Sequence, residues 1–486
     1  MSPAAGGTID ADYLVVGAGA TGMAFTDALV THSDVKVAMV DRRPAVGGHW
    51  LDAYPFVQLH QSSTFYGVAS TVLGGGRVQQ DGPEAGLHER ATKSEICAYY
   101  GRVLTDRLLP SGRVELHTAS EYVGDRQTVS RVSGRRLTVS PTCRIVDARY
   151  LSPDIPSVMP PPFEVTPDAR VIPVNDVPRL EHAPSELVVV GSGKTATDAI
   201  VWLLRHGLDP DRIVWVRPRD PWMLDRAVVQ PDPASILGMA ADIMQSAAVA
   251  SSLDEVLLGL EEAGVMMRLD PSVMPSMARA PTLGRWELDL LRSVERVVRR
   301  GHVLRVDRGL VTLAEGTIST APDAVVVHCA ASGLRNPPLV RVWSPSAITL
   351  QPIRAGFPCF GAAVVGYVEA TRGPDPDEGA ARAEKNRLCP PSPYGNTLAH
   401  WAAMNVRGTR ATQAFGGAPD IKSWADSVAL NPARVPAERR ASPDVVAALA
   451  RLGEHTPAGL ARLAELGRVQ EDVADPSPLR RLGSSA

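Results

Sequence analysis

Residues 13–22 read YLVVGAGATG, and this stretch decides the fold. Tyr13 to Val16 is a short apolar, β-branched run, the pattern of a strand buried on both faces of a parallel sheet. Gly17, Gly19 and Gly22 follow at once in G-x-G-x-x-G spacing, and Met23 to Val30 carries helical periodicity. A strand that turns directly into a helix aims the first helical N–H groups at one point, where the helix dipole also favours an anion. Gly17 suits the tight turn, Gly19 lets a pyrophosphate approach the backbone, and Gly22 lets helix and strand pack closely. A second strand, Val35 to Val40, ends in Asp41, about 20 residues past the glycines, where a carboxylate can accept hydrogen bonds from a ribose 2′-OH. A lone glycine motif is weak evidence. Here strand, glycines, helix, second strand and terminal acid occur in order, which predicts a dinucleotide site.

The pattern occurs a second time. Leu187 to Val190 opens into Gly191-Ser192-Gly193-Lys194-Thr195-Ala196, then a helical stretch from Ala199 to Arg205 and a strand from Ile213 to Val216. Ala196 replaces the third glycine, as the fingerprint allows. The Gly-Lys-Thr string also invites a P-loop reading, but a P-loop needs a glycine five residues before Gly193, where Val188 stands inside the strand. The loop is too short to wrap a triphosphate. No acid ends the second strand; the chain reads Arg217-Pro-Arg219 instead. A carboxylate there repels a ribose 2′-phosphate, whereas a guanidinium grips it. The expectation is therefore NADPH rather than NADH, on Gly191, Ser192, Gly193, Lys194 and Thr195, with Arg217 and Arg219 reading the phosphate. The competing reading of these arginines is solvated charge at a strand end.

The segment after Asp41 says which dinucleotide the first site takes. Arg42-Arg-Pro-Ala-Val-Gly47-Gly48-His-Trp50 resembles the acid…Gly-Gly-x-Trp pattern in the FAD-binding half of flavin-containing and Baeyer–Villiger monooxygenases. Tyr54-Pro55-Phe-Val-Gln58-Leu-His60-Gln-Ser-Ser63 resembles the segment beside the isoalloxazine ring in those families. The resemblance runs in motif order over roughly residues 10 to 410 and is dense only in these segments and the two fingerprints. It implies FAD at the first site, held by Gly17, Gly19, Gly22, Asp41, Arg42, Gly48 and Trp50, and an NADPH domain inserted in the FAD domain. It also implies that one oxygen atom passes from a C4a-(hydro)peroxyflavin to a small-molecule substrate, with O₂ as co-substrate.

His60 falls where those families place Asn or Asp. As a catalytic residue it is expected to donate a hydrogen bond or shuttle a proton with a pKa near working pH; a packed histidine bonded to backbone is the equal alternative. The chain lacks the F-x-G-x-x-x-H fingerprint before the second glycine loop, reading Phe163-Glu-Val-Thr-Pro-Asp-Ala169 there. That leaves three readings open: a divergent monooxygenase, an NADPH-dependent flavoprotein reductase serving another acceptor, and a non-catalytic dinucleotide-binding protein.

The remainder of the chain bounds these readings. With 486 residues the chain is long enough for several domains, and 44% apolar with 21% charged residues suits an ordinary globular protein. A net charge of −3 gives no reason to expect nucleic acid or a membrane surface. The apolar runs are strand-length, and the N-terminus has no basic start or apolar signal core, so a cytoplasmic protein is expected. Five scattered cysteines form no C-x-x-C or C-x-x-x-x-C, against a zinc ribbon or a redox dithiol. The histidines are isolated, and no metal is expected.

The expected fold class is α/β with two Rossmann-like domains: 1–155 the first part of the FAD domain, 156–330 the NADP domain with a helical insertion, 331–420 the second part of the FAD domain, and 421–486 a C-terminal helical tail. Within it, Ala234 to Leu260 and Leu283 to Arg300 read as helical, Val303 to Ile318 as short strands, Asp323 to Gly333 as a buried returning strand, and Ser442 to Leu466 as two helices. Residues 480–486 read as a disordered end. A cleft is expected between His60, Gln61, Trp222 and the Tyr394 to His400 segment.

Overall fold

A computed structural model describes residues 7–331, 333–373, 378–470 and 473. Two five-stranded sheets, every pair parallel, organise the chain. The first runs Ala347–Thr349, Arg144–Asp147, Tyr13–Val16, Val37–Val40, Val114–His117; the second runs Val171–Pro173, Val325–His328, Leu187–Val190, Ile213–Val216, Val297–Val298. In each sheet the strand leading into the glycine loop is central. The next strand in the chain lies on one side of it and a much later strand on the other, which opens a crevice at the carboxyl ends. Because Ala347–Thr349 rejoins the first sheet after the second is complete, one dinucleotide unit is inserted in the other, as expected.

The strands read as continuous apolar runs because both faces are covered. Leu14, Val16, Ala38 and Val40 pack with Tyr122 and Val139 on one side. Val15, Val37 and Met39 turn to the main core on the other. The second sheet splits in the same way, with Val188, Val190, Val214 and Val216 against the meander that includes Val303–Asp307 and Leu310–Leu313.

Six helices matter for the site: α1 (Ala20–His32), α2 (Lys194–Arg205), α3 (Pro233–Val249), α4 (Pro358–Thr371), α5 (Leu398–Gly416) and α6 (Pro443–Leu466). Helix α1 is buried on nearly all sides because α4 covers the face turned away from the sheet. The two approach so closely that a Cβ on Gly366 would lie 2.5 Å from the Phe25 carbonyl oxygen.

Three expectations are corrected. The helix expected over 283–300 spans only Arg285–Arg292, and Val297–Val298 forms the fifth strand of the second sheet. Ser442 to Leu466 is one helix, not two, although Pro457 removes an N–H from its interior. Packing against α3 holds it together, with Gly459 so near the Met244 carbonyl that a Cβ would lie 2.2 Å away. Trp222 is fully buried and Gln61 nearly so, which takes both out of the expected cleft. The end at 480–486 lies outside the described residues.

Candidate functional site

The first glycine loop adopts the conformation its residues permit. Gly17 has φ +109°, and a Cβ on Gly22 would sit 2.0 Å from the Gly17 carbonyl oxygen. Gly19 caps α1 with no side-chain hydrogen bond, and no acid occupies the first turn, so the helix end keeps its partial positive charge. Asp41 is buried beside the loop. One carboxylate oxygen accepts from the Ala18 N–H at 2.7 Å and the other from the Arg43 N–H at 2.8 Å. The Gly-Gly pair folds back onto the same cradle: Gly47 N–H donates to the Ala18 carbonyl, and a Cβ on Gly48 would lie 2.8 Å from Gly19 Cα. Trp50 is buried and donates through Nε1 to the Tyr66 hydroxyl at 2.6 Å, while Arg42 is exposed.

The second loop is built alike. Gly191 has φ +136°, and a Cβ there would meet the Cys329 carbonyl oxygen at 2.9 Å. Helix α2 begins five residues earlier than predicted, which puts Lys194 and Thr195 in its first turn behind an uncapped Gly193. Ser192 sits in the bend between them. The Lys194 ammonium is paired with Asp198 one turn on. Asp198 also accepts a hydrogen bond from the Tyr54 hydroxyl at 2.7 Å, and Tyr54 belongs to the segment after Trp50. One carboxylate thereby ties the segment after Trp50 to the start of α2.

Arg217 does not stand where a phosphate reader must. Its guanidinium is buried, pairs with Asp220 at 2.9 Å and lies over the Trp215 ring with its centre 4.5 Å from the centroid. Burial lowers its pKa to about 10, with Asp220 partly offsetting that. Arg217 is thus a strand-end brace, and the expectation for it is corrected. Arg219 is exposed.

His60 joins the two halves through its backbone and ring. Its carbonyl accepts from Arg226 Nε at 2.9 Å and from the Thr282 hydroxyl, and its Nδ1 accepts from the Thr282 N–H at 3.3 Å. A backbone N–H only donates, so Nδ1 is unprotonated and the ring proton sits on Nε2. Burial, followed by the charges of Lys194, Arg226 and Arg90, lowers the His60 pKa to about 3. The expected titration near working pH is corrected: the ring is neutral there, with its proton on Nε2. The pH dependence of any step at this site should therefore show no inflection from His60 between pH 5 and 8, and His60→Gln should leave the shape of a flavin-reduction pH profile unchanged. An inflection that disappears in His60→Gln would contradict this.

Beneath His60 lies a group no motif announced. Arg226 donates to Glu84 through Nη1 and to Glu287 through Nη2 at 2.6 Å. Arg90 donates to both Glu84 oxygens at 2.7 and 2.9 Å and to the Leu59 carbonyl at 3.0 Å. Trp286 Nε1 and the Gly284 N–H complete the shell, donating to Glu84 and Glu287 at 3.1 and 2.7 Å. All four charged side chains are at most 7% exposed. Burial alone would raise the Glu84 carboxyl, but Arg226 and Arg90 outweigh it and hold its pKa at about 2. Sequence reading missed this cluster because its members are 142 and 61 positions apart and each looks like ordinary surface charge.

Residues 15–60, from the first glycine loop to His60, match the family model of an NAD(P)-binding Rossmann-like domain. Over 427 residues the chain is 40% identical to the uncharacterized protein Rv2000 of Mycobacterium tuberculosis, which covers 87% of this chain and 78% of that protein. It stands in the same relation to the uncharacterized protein Mb2023 of Mycobacterium bovis. The chain belongs to the Rv2000 family. An open crystal structure of cyclohexanone monooxygenase is similar at 15% identity with a TM-score of 0.50, over 84% of this chain and 98% of that one. The fold of the Rv2000 family is thus the inserted two-dinucleotide α/β fold that the resemblance implied. Among the described residues of this member, no cluster of His, Cys, Asp and Glu is placed to hold a metal, and no helix is long and apolar enough to cross a membrane. All five cysteines are free, and four of them are buried.

Proposed function

We propose that this protein is an FAD- and NADPH-dependent oxidoreductase that transfers one atom of O₂ to a small-molecule substrate by N-, S- or carbonyl oxidation. The observation that carries the reading is the Tyr54–Asp198–Lys194 link, which ties the segment following the first cradle to the helix that opens from the second glycine loop. The cradle fits FAD: Gly17, Gly19 and Gly22 leave the α1 amides free for a pyrophosphate, Asp41 lies at the ribose position, and Gly48 leaves room that a Cβ would fill. Trp50 backs that wall, and Arg42 at its rim is open to a phosphate. Gly191, Ser192, Gly193 and Thr195 would hold the second dinucleotide at the α2 end. FAD bound at the first site supplies hydride acceptance from the nicotinamide and electron donation to O₂. The chain's own part is to orient both dinucleotides, exclude water and hold a proton at His60 Nε2. The likeness to cyclohexanone monooxygenase agrees with this reading through the fold alone.

Anaerobic NADPH should bleach the protein-bound flavin. Isotopically labelled O₂ with a panel of amines, amino acids, thioethers and ketones should then place one labelled atom in a product. Bleaching with label only in peroxide or water points to a reductase; flavin that stays oxidised points to a dinucleotide-binding protein without turnover.

NADPH preference is assigned to Arg219 alone. Arg219→Ala should raise KM for NADPH by about tenfold or more, the loss of one charge-assisted contact, and leave KM for NADH unchanged. Arg217→Ala should lower the melting temperature and affect the two nucleotides alike, because buried Asp220 is left with Arg299 alone.

A further inference from the structure

Among the described residues desolvation lowers the pKa of three arginines. For Arg42 and Arg217 an aspartate, Asp41 or Asp220, opposes the shift; for Arg354 burial acts alone and brings the value to about 10, still a cation at neutral pH. The Arg354 guanidinium touches no carboxylate among the described residues. It donates through Nη1 to the Thr412 hydroxyl at 3.3 Å, lies 6.0 Å from the centre of the Phe357 ring, and its buried Nε–H has no partner. Arginine is rarely enclosed without a counter-charge, because the desolvation cost is not returned. Part of the residue nevertheless stays accessible.

The surroundings place Arg354 beside the proposed reaction site. Residues 352–357 lead into the N-terminus of α4, the helix that packs on α1. Phe357 meets Phe65 edge to face at 5.3 Å, and Phe65 closely follows His60 in the flavin-side segment. On the other side, Ala355 packs with the apolar cluster of Trp222, Trp401 and Tyr394, and a Cβ on Gly408 of α5 would lie 2.8 Å from Ala355 Cβ. The Ser392 N–H donates to the Pro352 carbonyl at 2.7 Å and brings partly open Tyr394 to the same wall. A fixed cation thus stands between the flavin-side segment and the helices that cover the inserted unit.

We propose that Arg354 anchors a carboxylate on the small-molecule substrate. Calling that ligand a substrate rests on the proposed function; the anion site itself does not. The planar fork of the guanidinium matches two carboxylate oxygens, and Nε, which has no protein partner, is one of its donors. The same chemistry could serve the electron-rich edge of a reduced flavin, so the test separates the two sources.

The full-length, FAD-loaded protein is titrated with acetate, benzoate and phenylacetate and with the corresponding amides, and binding is read by thermal shift. The acids should stabilise the wild type and the amides should not. Arg354→Met should weaken acid binding by about tenfold or more, and Arg354→Lys should recover part of it, with flavin content and flavin midpoint potential unchanged in both. Acids and amides binding the wild type alike would overturn the proposal even if neither variant folds. So would an Arg354→Met protein that binds acids normally while its flavin potential moves, which would assign the charge to the flavin. Flavin that NADPH fails to bleach overturns the proposed reaction but not the anion anchor, because binding is read without turnover.

Discussion

Gly22→Ala is expected to cost the proposed flavin site its ligand. The new methyl group would lie 2.0 Å from the Gly17 carbonyl oxygen and 3.3 Å from the Ala148 side chain, and the carbonyl belongs to a turn that cannot yield because Gly17 is already at φ +109°. Helix α1 must move off the strand instead. Overpacking of this kind costs about 1–3 kcal/mol. The helix amides that the pyrophosphate needs move with α1, and each hydrogen bond lost to a charged group costs about 1.5–3 kcal/mol. The protein should purify largely without FAD, and added FAD should bind with an affinity reduced by about two orders of magnitude. Gly101→Ala is the control. Gly101 lies in the helix Lys93–Val103 with open space where its Cβ would point. Alanine there should raise stability by up to about 1 kcal/mol and leave FAD in place. Equal flavin content in the two variants would contradict the close packing assigned to Gly22.

Arg226→Met should be the most destabilising single change in the crevice. It leaves Glu287 without its nearest cation and Glu84 with Arg90 alone, all in the interior. Breaking a buried pair from one side costs about 3–5 kcal/mol, whereas replacing both partners is often close to neutral. Arg226→Met with Glu287→Gln should therefore be more stable than Arg226→Met, because one positive and one negative charge leave together and the Arg90–Glu84 pair remains. Chemical denaturation of the three proteins gives the coupling directly; additive losses would mean the charges act independently. The pH dependence has a definite sign. The folded-state pKa of Glu84 is depressed, from 4.5 to about 2. Its contribution is therefore complete above the unfolded value and is lost as pH falls through the interval between the two. His60 acts earlier on the same path: its folded pKa is lowered to about 3, so below about 6.5 the unfolded chain binds the proton that the folded one refuses. Acidification should weaken the wild type first through the histidine and then through the glutamate.

What could be read in advance follows from how local each signal is. Tyr13–Val16, Leu187–Val190 and Ile213–Val216 were legible to the residue, because a buried parallel strand writes its burial into every position. The glycines at 17, 22 and 191 were legible because only glycine meets those conformations or clearances. Arg217 misled for a different reason. Its partners are local too, Asp220 three residues on and Trp215 two residues back, but spacing does not tell whether a strand-end guanidinium turns to them or outward. The Arg226 cluster and Arg354 were invisible, since their environment is made by segments far apart in the chain. His60 was found as a position, and its protonation was not, because burial and then three cations supplied by other elements set it.

The interleaving of the two sheets bears on how the chain reaches this state. Tyr13–Val16 and Arg144–Asp147 exist early in synthesis, but the edge strand beside them, Ala347–Thr349, emerges about 200 residues later. The face of α3 waits longer still for α6. Each half is therefore left with an uncovered edge or apolar face while the other is being made. Pairings of such long sequence separation form slowly and expose aggregation-prone surface meanwhile. This architecture should refold slowly from denaturant and depend on protection of its nascent chain, a burden that a simple tandem of the same two units would not carry.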